Sequence, residues 1–198
     1  MTREVFREVG AHAVIDLITG VFHEPVVVKP ARGGSAQGVT IVETDDRLPR
    51  AMMDAFTYAD EALIEQRIVG TEVAVGVLDA DEGPEALPAV EIAPESGVFD
   101  YTSRYTPGMT EYHSPARVSD EVAARAAEVA LRVHTVLGLA GLSRTDAIVT
   151  PDGDVHFLEV NVSPGLTETS MFPMAVEAAG HGLGEVLGGL LARAARKD

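Results

Sequence analysis

No cysteine occurs in the 198 residues, which excludes a disulfide framework, thiol catalysis and cysteine-ligated zinc together. Positive charge is scarce as well. Only 15 Lys and Arg stand against 31 Asp and Glu, for a net charge of −16. There is no basic run, and a nucleic-acid surface needs one to neutralise phosphates, so no nucleic-acid partner is expected. No stretch of about 18 uncharged apolar residues is present, so no membrane span is expected. Met1, Thr2, Arg3 and Glu4 lead into no apolar segment, which argues against a secretory signal. What is there is an ordinary globular composition, 46 % hydrophobic and 23 % charged. A chain of this length can bury about 70 % of its unfolded surface, as one large domain or two small ones. The expectation is a soluble, acidic, cytoplasmic protein whose chemistry rests on Asp, Glu, Asn, Ser, Arg and backbone groups.

Strands and helices alternate without internal repeats or low-complexity tracts. Residues 1–20 read as one helix. Residues 25–30 (PVVVKP) are a β-branched run bracketed by prolines, and 31–38 (ARGGSAQG) form a glycine-rich loop before a short strand at 39–43. The spacing of Leu48, Met52, Ala55 and Phe56 predicts a helix within 45–59. Strands at 62–68 and 71–79 hinge at Gly70, with Val73, Val75 and Val77 on one face, followed by a turn at 81–84 and a strand at 87–93. Residues 95–115 form the longest irregular stretch, and Tyr101, Arg104, Tyr105 and Tyr112 favour a functional loop there over a disordered one. Ser119 caps a helix striped by Val122, Ala126, Val129, Val133 and Val136, which Gly138 and Gly141 end. Strands at 142–149 and 154–162 are joined by Thr150-Pro151-Asp152-Gly153, a strong turn signature. An amphipathic tail runs through Leu183, Val186, Leu187, Leu190 and Leu191. The expected class is α+β with mostly antiparallel sheets, in two lobes with no linker between them.

The hairpin at Pro151 carries the most chemical information. Side chains two apart share a strand face, so Glu159 projects with Asn161 and Arg144 with Asp146. Pairing about the turn sets Asp146 near 157–159, and two facing carboxylates repel unless a cation lies between them. Hard oxygen donors of this kind hold Mg²⁺ in phosphoryl-transfer sites. A solvated hairpin face has the same pattern; the apolar company of Glu159 tilts the reading towards a site. Lys29 at the end of a strand, with Gly33 and Gly34 behind it, could receive an anion, although a Gly-Gly turn looks the same. The acids from Glu65 to Glu72 read by themselves as surface. The six histidines lack the i, i+4 partners of a zinc helix and read as structural. No Gly-x-Ser-x-Gly is present, so covalent catalysis by a side chain is not expected.

Taken in order, residues 26–35 (VVVKPARGGS), Ile64-Glu65-Gln66 with Gly70-Thr71-Glu72, Phe99-Asp100-Tyr101 with Arg104-Tyr105, Arg144-Thr145-Asp146, and 159–167 (EVNVSPGLT) with Ser170-Met171 resemble the ATP-binding and catalytic portion of the D-alanine–D-alanine ligases. These are ATP-grasp enzymes, so the resemblance implies an α+β fold of two lobes with the nucleotide between them. It runs from about Glu24 to about Leu191. It divides the chain into residues 1–23, a helical segment outside the family pattern; 24–80, a smaller ATP-binding lobe; and 81–198, a catalytic lobe with a lid at 94–115. The family's N-terminal substrate domain has no counterpart among these residues.

The implied reaction joins two D-alanines through an acyl phosphate for peptidoglycan, with ATP and two Mg²⁺ (Mn²⁺ as a substitute). In it Lys29 and the amides of Gly33, Gly34 and Ser35 hold phosphates. Glu65 meets the adenine amino group, the Ile68 backbone the ring and Glu72 the ribose, and Leu158 belongs to the same ATP site. Asp146, Glu159 and Asn161 bind metal, while Arg144 and the Gly165 amide stabilise the tetrahedral intermediate. Ser170, Met171 and Arg104 bind substrate, and Ser35 with Tyr105 closes the site. Tyrosine at 105 implies an amine rather than a hydroxyl acceptor. Arg104 stands where the family usually has lysine, and Ala36 where a second serine is common. Residues 1–23 contain no lysine to serve as the second one expected at the ATP site. The chain by itself is therefore expected to fold but to turn over weakly or not at all. The partners implied are ATP and D-alanine, and a homodimer is compatible with the resemblance. The alternatives are a ligase for other amino acids or a nucleotide-binding module without turnover.

Overall fold

The Thr2 hydroxyl accepts from the Val5 amide at 3.2 Å and starts helix α1 (Arg3–Val9). Helix α2 (Ala11–Val21) follows at once, so the single helix expected over 1–20 is two. The break is Gly10, whose φ of 83° and ψ of 157° are open to glycine and strained for other residues. Its amide closes α1 by donating to the Phe6 carbonyl at 3.1 Å. The computed structural model describes residues 1–23 and 25–195; Glu24, the first residue of the expected resemblance, and residues 196–198 lie outside them.

The chain divides into two compact units, Met1–Ile68 with Pro94–Thr110, and Val69–Ala93 with Glu111–Asp198. The division falls at Ile68 rather than at 80, and most of the expected lid belongs with the first unit. In that unit β1 (Val26–Pro30) is the centre of an antiparallel sheet, flanked by β2 (Thr40–Val42) and β3 (Ala62–Gln66). Val26 and Val28 alternate inward and are buried, meeting Leu48, Met52 and Phe56 of α3 (Leu48–Phe56). Phe6 adds an edge-to-face contact with Phe56 at 5.6 Å between centroids.

The second unit is built on β4 (Thr71–Ala80), which pairs with β5 (Gly83–Ala86) and β6 (Val90–Pro94) on one side. The expected strand at 87–93 thus starts three residues later. The stretch from 95 to 115 is less irregular than expected, because it contains α4 (Tyr101–Tyr105) and β7 (Thr110–His113). Asp100 caps α4 by accepting from the Ser103 amide at 2.8 Å. Helix α5 (Asp120–Val136) begins at the Ser119 cap as predicted. Its buried row is Ala126, Ala130 and His134, whereas Val136 is 74 % exposed. The inward stripe therefore follows an i, i+4 row rather than the valines. His134 is structural, bonded to Ser143 at 2.8 Å and to Asp79 at 3.3 Å.

Strands β8 (Leu142–Val149) and β9 (Val155–Asn161) close the sheet, whose order is β7-β6-β4-β8-β9. The Gly153 amide returns to the Thr150 carbonyl at 2.8 Å, so the predicted turn forms. Helices α6 (Met171–Ala178) and α7 (Leu183–Ala194) finish the chain. Residues 73–77 of β4 are all buried. Helix α5 packs near Val75 and Val77, and Phe172 of α6 lies on Gly76 from the other face. Among the described residues no helix is long and apolar enough to cross a membrane.

Candidate active site

In the second unit, β8 and β9 set the central group. Asp146 lies opposite Glu159 and Arg144 opposite Asn161, so all four share one sheet face. A regular ladder continuing from Val149 opposite Val155 would put Leu158 opposite Asp146. Instead the register shifts at Asp146, with Ala147 opposite Phe157, and leaves Leu158 as an extra residue. The bulge is what turns Glu159 towards Asp146. Alternation alone locates the face; it does not reveal this shift.

Asp146 and Arg144 are buried, 3 % and 6 % exposed, and joined by two bonds of 2.7 Å, Nε to Oδ1 and Nη2 to Oδ2. The positive charge beside Asp146 is thus a guanidinium two residues away, a pairing that sequence spacing alone does not reveal. Burial works against the charge on Arg144. Only together do the Asp146 hydrogen bonds and the charges of Asp146, Glu159 and Glu72 overcome it, and they hold the group above its ordinary pKa. The two bonds leave Nη1 over as a donor. Asn161 accepts from the Ser163 amide at 2.9 Å, which fixes its side chain at the strand end.

Ser170 stands half-buried at the N-terminus of α6 without a side-chain capping bond, and its hydroxyl instead meets that of Thr167 at 2.8 Å. A Cβ on Gly165 would stand 2.6 Å from the Ser170 hydroxyl, so these two expected site residues do come together, and glycine permits it. Met171 is only 7 % exposed and packs inward, which leaves mainly its backbone for a substrate. Glu72, on β4 opposite Ile148, is half-buried, and the extra residue Leu158 is half-buried too.

In the first unit Lys29 and Glu65 form an ion pair at 2.5 Å. Glu65 lies opposite Val27, so Lys29 reaches it diagonally across the β1–β3 pair. The sequence reading gave these residues separate duties and missed their contact. Ile68 follows β3 and is half-buried. In the glycine loop Gly33 and Gly34 are exposed, while Ser35 and Ala36 take positive φ of 57° and 55°. The Ser35 hydroxyl meets the Tyr105 hydroxyl at 2.6 Å, so the two residues expected to close the site touch. Arg104 lies over Phe99, a contact that sequence reasoning also missed. The available signal was an aromatic residue just ahead of the Asp100 helix cap.

A family model described as the D-alanine–D-alanine ligase C-terminus matches residues 4–192. The chain belongs to this family. The match takes in both N-terminal helices, which the sequence reading left outside the pattern. The D-alanine–D-alanine ligase of Halalkalibacterium halodurans is 44 % identical over 170 residues, covering 85 % of this chain and 55 % of the relative. That of Syntrophotalea carbinolica is 42 % identical, covering 86 % and 54 %. The chain spans about half the length of the curated relatives it matches. The solved VanG D-Ala:D-Ser ligase of Enterococcus faecalis superposes with a TM-score of 0.84 at 33 % identity, over 97 % of this chain and 54 % of that one. The fold is accordingly the α+β ATP-grasp fold of the D-alanine–D-alanine ligases.

Proposed function

We propose that this chain carries the nucleotide, metal and acyl-transfer groups of an ATP-dependent ligase joining two D-alanines for peptidoglycan, acting in the cytoplasm. The observation that carries the reading is the single face holding Arg144, Asp146, Glu159 and Asn161. Two carboxylates and an amide oxygen are hard donors and suit Mg²⁺ or Mn²⁺. Asp146, Glu159 and Asn161 would hold two such ions, which when bound supply charge neutralisation for the phosphate chain.

In this reading Lys29 and the amides of Gly33, Gly34 and Ser35 bind phosphate oxygens. Glu65 accepts from the adenine amino group, Ile68 and Leu158 meet the ring, and Glu72 takes the ribose hydroxyls. The first D-alanine carboxylate attacks the γ-phosphate, giving an acyl phosphate and ADP. The amine of the second D-alanine then adds to the acyl carbon and loses a proton, and phosphate departs. Arg144, through its remaining Nη1, and the Gly165 amide face the oxyanion. Ser170, with the Met171 backbone, orients the second carboxylate, Arg104 meets an anionic substrate oxygen, and Ser35 with Tyr105 closes the site. No side-chain nucleophile is required, only positioning and charge.

Mg²⁺-dependent ATP binding tests the nucleotide and metal assignments, and phosphate release with D-alanine tests turnover. Glu159→Gln keeps the shape and removes one charge, so Mg²⁺-dependent nucleotide binding or turnover should fall at least about tenfold with the fold intact. Unchanged metal dependence in that variant overturns the metal assignment. The likeness to a D-Ala:D-Ser ligase favours one second reading, D-serine as the acceptor. Competition between D-alanine, D-serine and D-lactate separates them: the D-alanine reading requires mostly D-alanyl-D-alanine, and Tyr105 predicts little ester product.

A further inference from the structure

The Arg104 guanidinium carbon lies 4.2 Å from the centre of the Phe99 ring, inside the range of a cation–π contact. The ring is 8 % exposed and so forms a fixed platform. The turn between the two residues is tightly bonded. Ser103 donates its hydroxyl to the carbonyls of Val98 and Asp100, at 3.1 Å each, and Arg104 donates its amide to the Asp100 carbonyl at 3.0 Å. Arg104 Nε is buried without a hydrogen-bond partner. The two Nη groups are not buried in this way and bond to no described residue. The guanidinium thus lies against the ring with Nε buried, while its two Nη groups keep their donors for a further partner.

We propose that Phe99 is a positioning residue for Arg104, fixing the guanidinium plane so that both Nη groups meet an anionic oxygen of the bound substrates. This rests on the reading of Arg104 as substrate-binding. The geometry suits arginine specifically, since an ammonium has no plane to lie on the ring and no fork to aim.

A four-protein cycle tests it: the unaltered chain, Phe99→Leu, Arg104→Ala and the double variant. Each is titrated by calorimetry with AMP-PNP and Mg²⁺, then with D-alanine in their presence. The ligand whose Kd rises in Arg104→Ala is the one Arg104 reads. Phe99→Leu should raise that same Kd about 3- to 10-fold when Arg104 is present and less than about 1.5-fold when it is alanine. Phe99→Tyr keeps the aromatic face and should restore binding. Equal weakening in both backgrounds makes Phe99 merely structural and overturns the proposal. If Arg104→Ala changes neither Kd, the substrate reading of Arg104 fails instead. Independently of any ligand, the Arg104 Nε–H resonance should be shifted by the ring current, keep that shift in Phe99→Tyr and lose it in Phe99→Leu. A resonance insensitive to Phe99→Leu refutes the contact itself.

Discussion

Asp146 is bonded to a guanidinium within its own strand and lies opposite a second carboxylate, Glu159. Both Asp146 oxygens are bonded to Arg144 at 2.7 Å, and the pair is almost wholly buried. Removing Asp146 strips a buried guanidinium of both these hydrogen bonds and leaves only the charges of Glu159 and Glu72 to offset it. Asp146→Ala should therefore cost about 3–5 kcal/mol of stability, measured by urea unfolding without added metal. A cost near that of an exposed pair, under about 1 kcal/mol, would contradict the buried geometry. The i, i+2 spacing of Arg144 and Asp146 is visible in the sequence. Their pairing is not, because it depends on a burial that only the packed sheet supplies.

Elements with strong local signals were readable in advance. Ser119 announces its helix through a side-chain cap, and Thr150-Pro151-Asp152-Gly153 announces its hairpin through turn chemistry. The short helix α4 was hidden because five residues leave no room for a hydrophobic period. The break between α1 and α2 was hidden because one glycine in a helical pattern is often tolerated. Gly10→Ala should show its importance, with a loss of about 1–3 kcal/mol from strain at φ 83°. Thermal unfolding of the variant measures it.

A different element-level tie joins β6 to the segment entering α5. Glu91 is 7 % exposed and accepts from Arg117 Nε at 3.0 Å, Nη2 at 2.7 Å and its amide at 2.9 Å. The side-chain bonds from Arg117 lower the Glu91 pKa despite opposition from burial. A lowered folded-state value means the stabilisation is present above the ordinary glutamate pKa of about 4.3 and fades as the pH falls through the folded value. Glu91→Gln should accordingly destabilise the protein at pH 7 and have a shrinking effect as the pH is lowered below about 4. An equal effect at both pH values would rule out this linkage.

For the whole molecule the dominant electrostatic fact is the net charge of −16. Like charges at this excess repel one another across the folded surface, and salt screens that repulsion over about 10 Å at 0.1 M. The melting temperature should therefore rise when NaCl is raised from about 20 to 200 mM at neutral pH, the range over which screening sets in. A falling melting temperature would mean that attractive surface pairs outweigh the excess. The family and the α+β class were legible from five short motifs in order, because reaction chemistry restricts those residues more than packing restricts the rest. The division into units was less legible. The chain leaves the first unit at Ile68 and returns at Pro94, and no local composition marks that return.

The bulge in β9 also makes a statement about chain length. The pairs on either side of Leu158 differ by one in the sum of their residue numbers, so the two halves of the strand are out of phase by a single step. Shortening the chain by that one residue would bring them into phase without changing any partner: Phe157 would still face Ala147, and Glu159 would still face Asp146. Deletion of Leu158 is thus silent in the arithmetic of the sheet. Deletion of Val160 is not, since it would draw Asn161 opposite Thr145, onto the core side of the sheet. Single-residue deletions scanned along this strand should be tolerated at Leu158 and damaging at Val160.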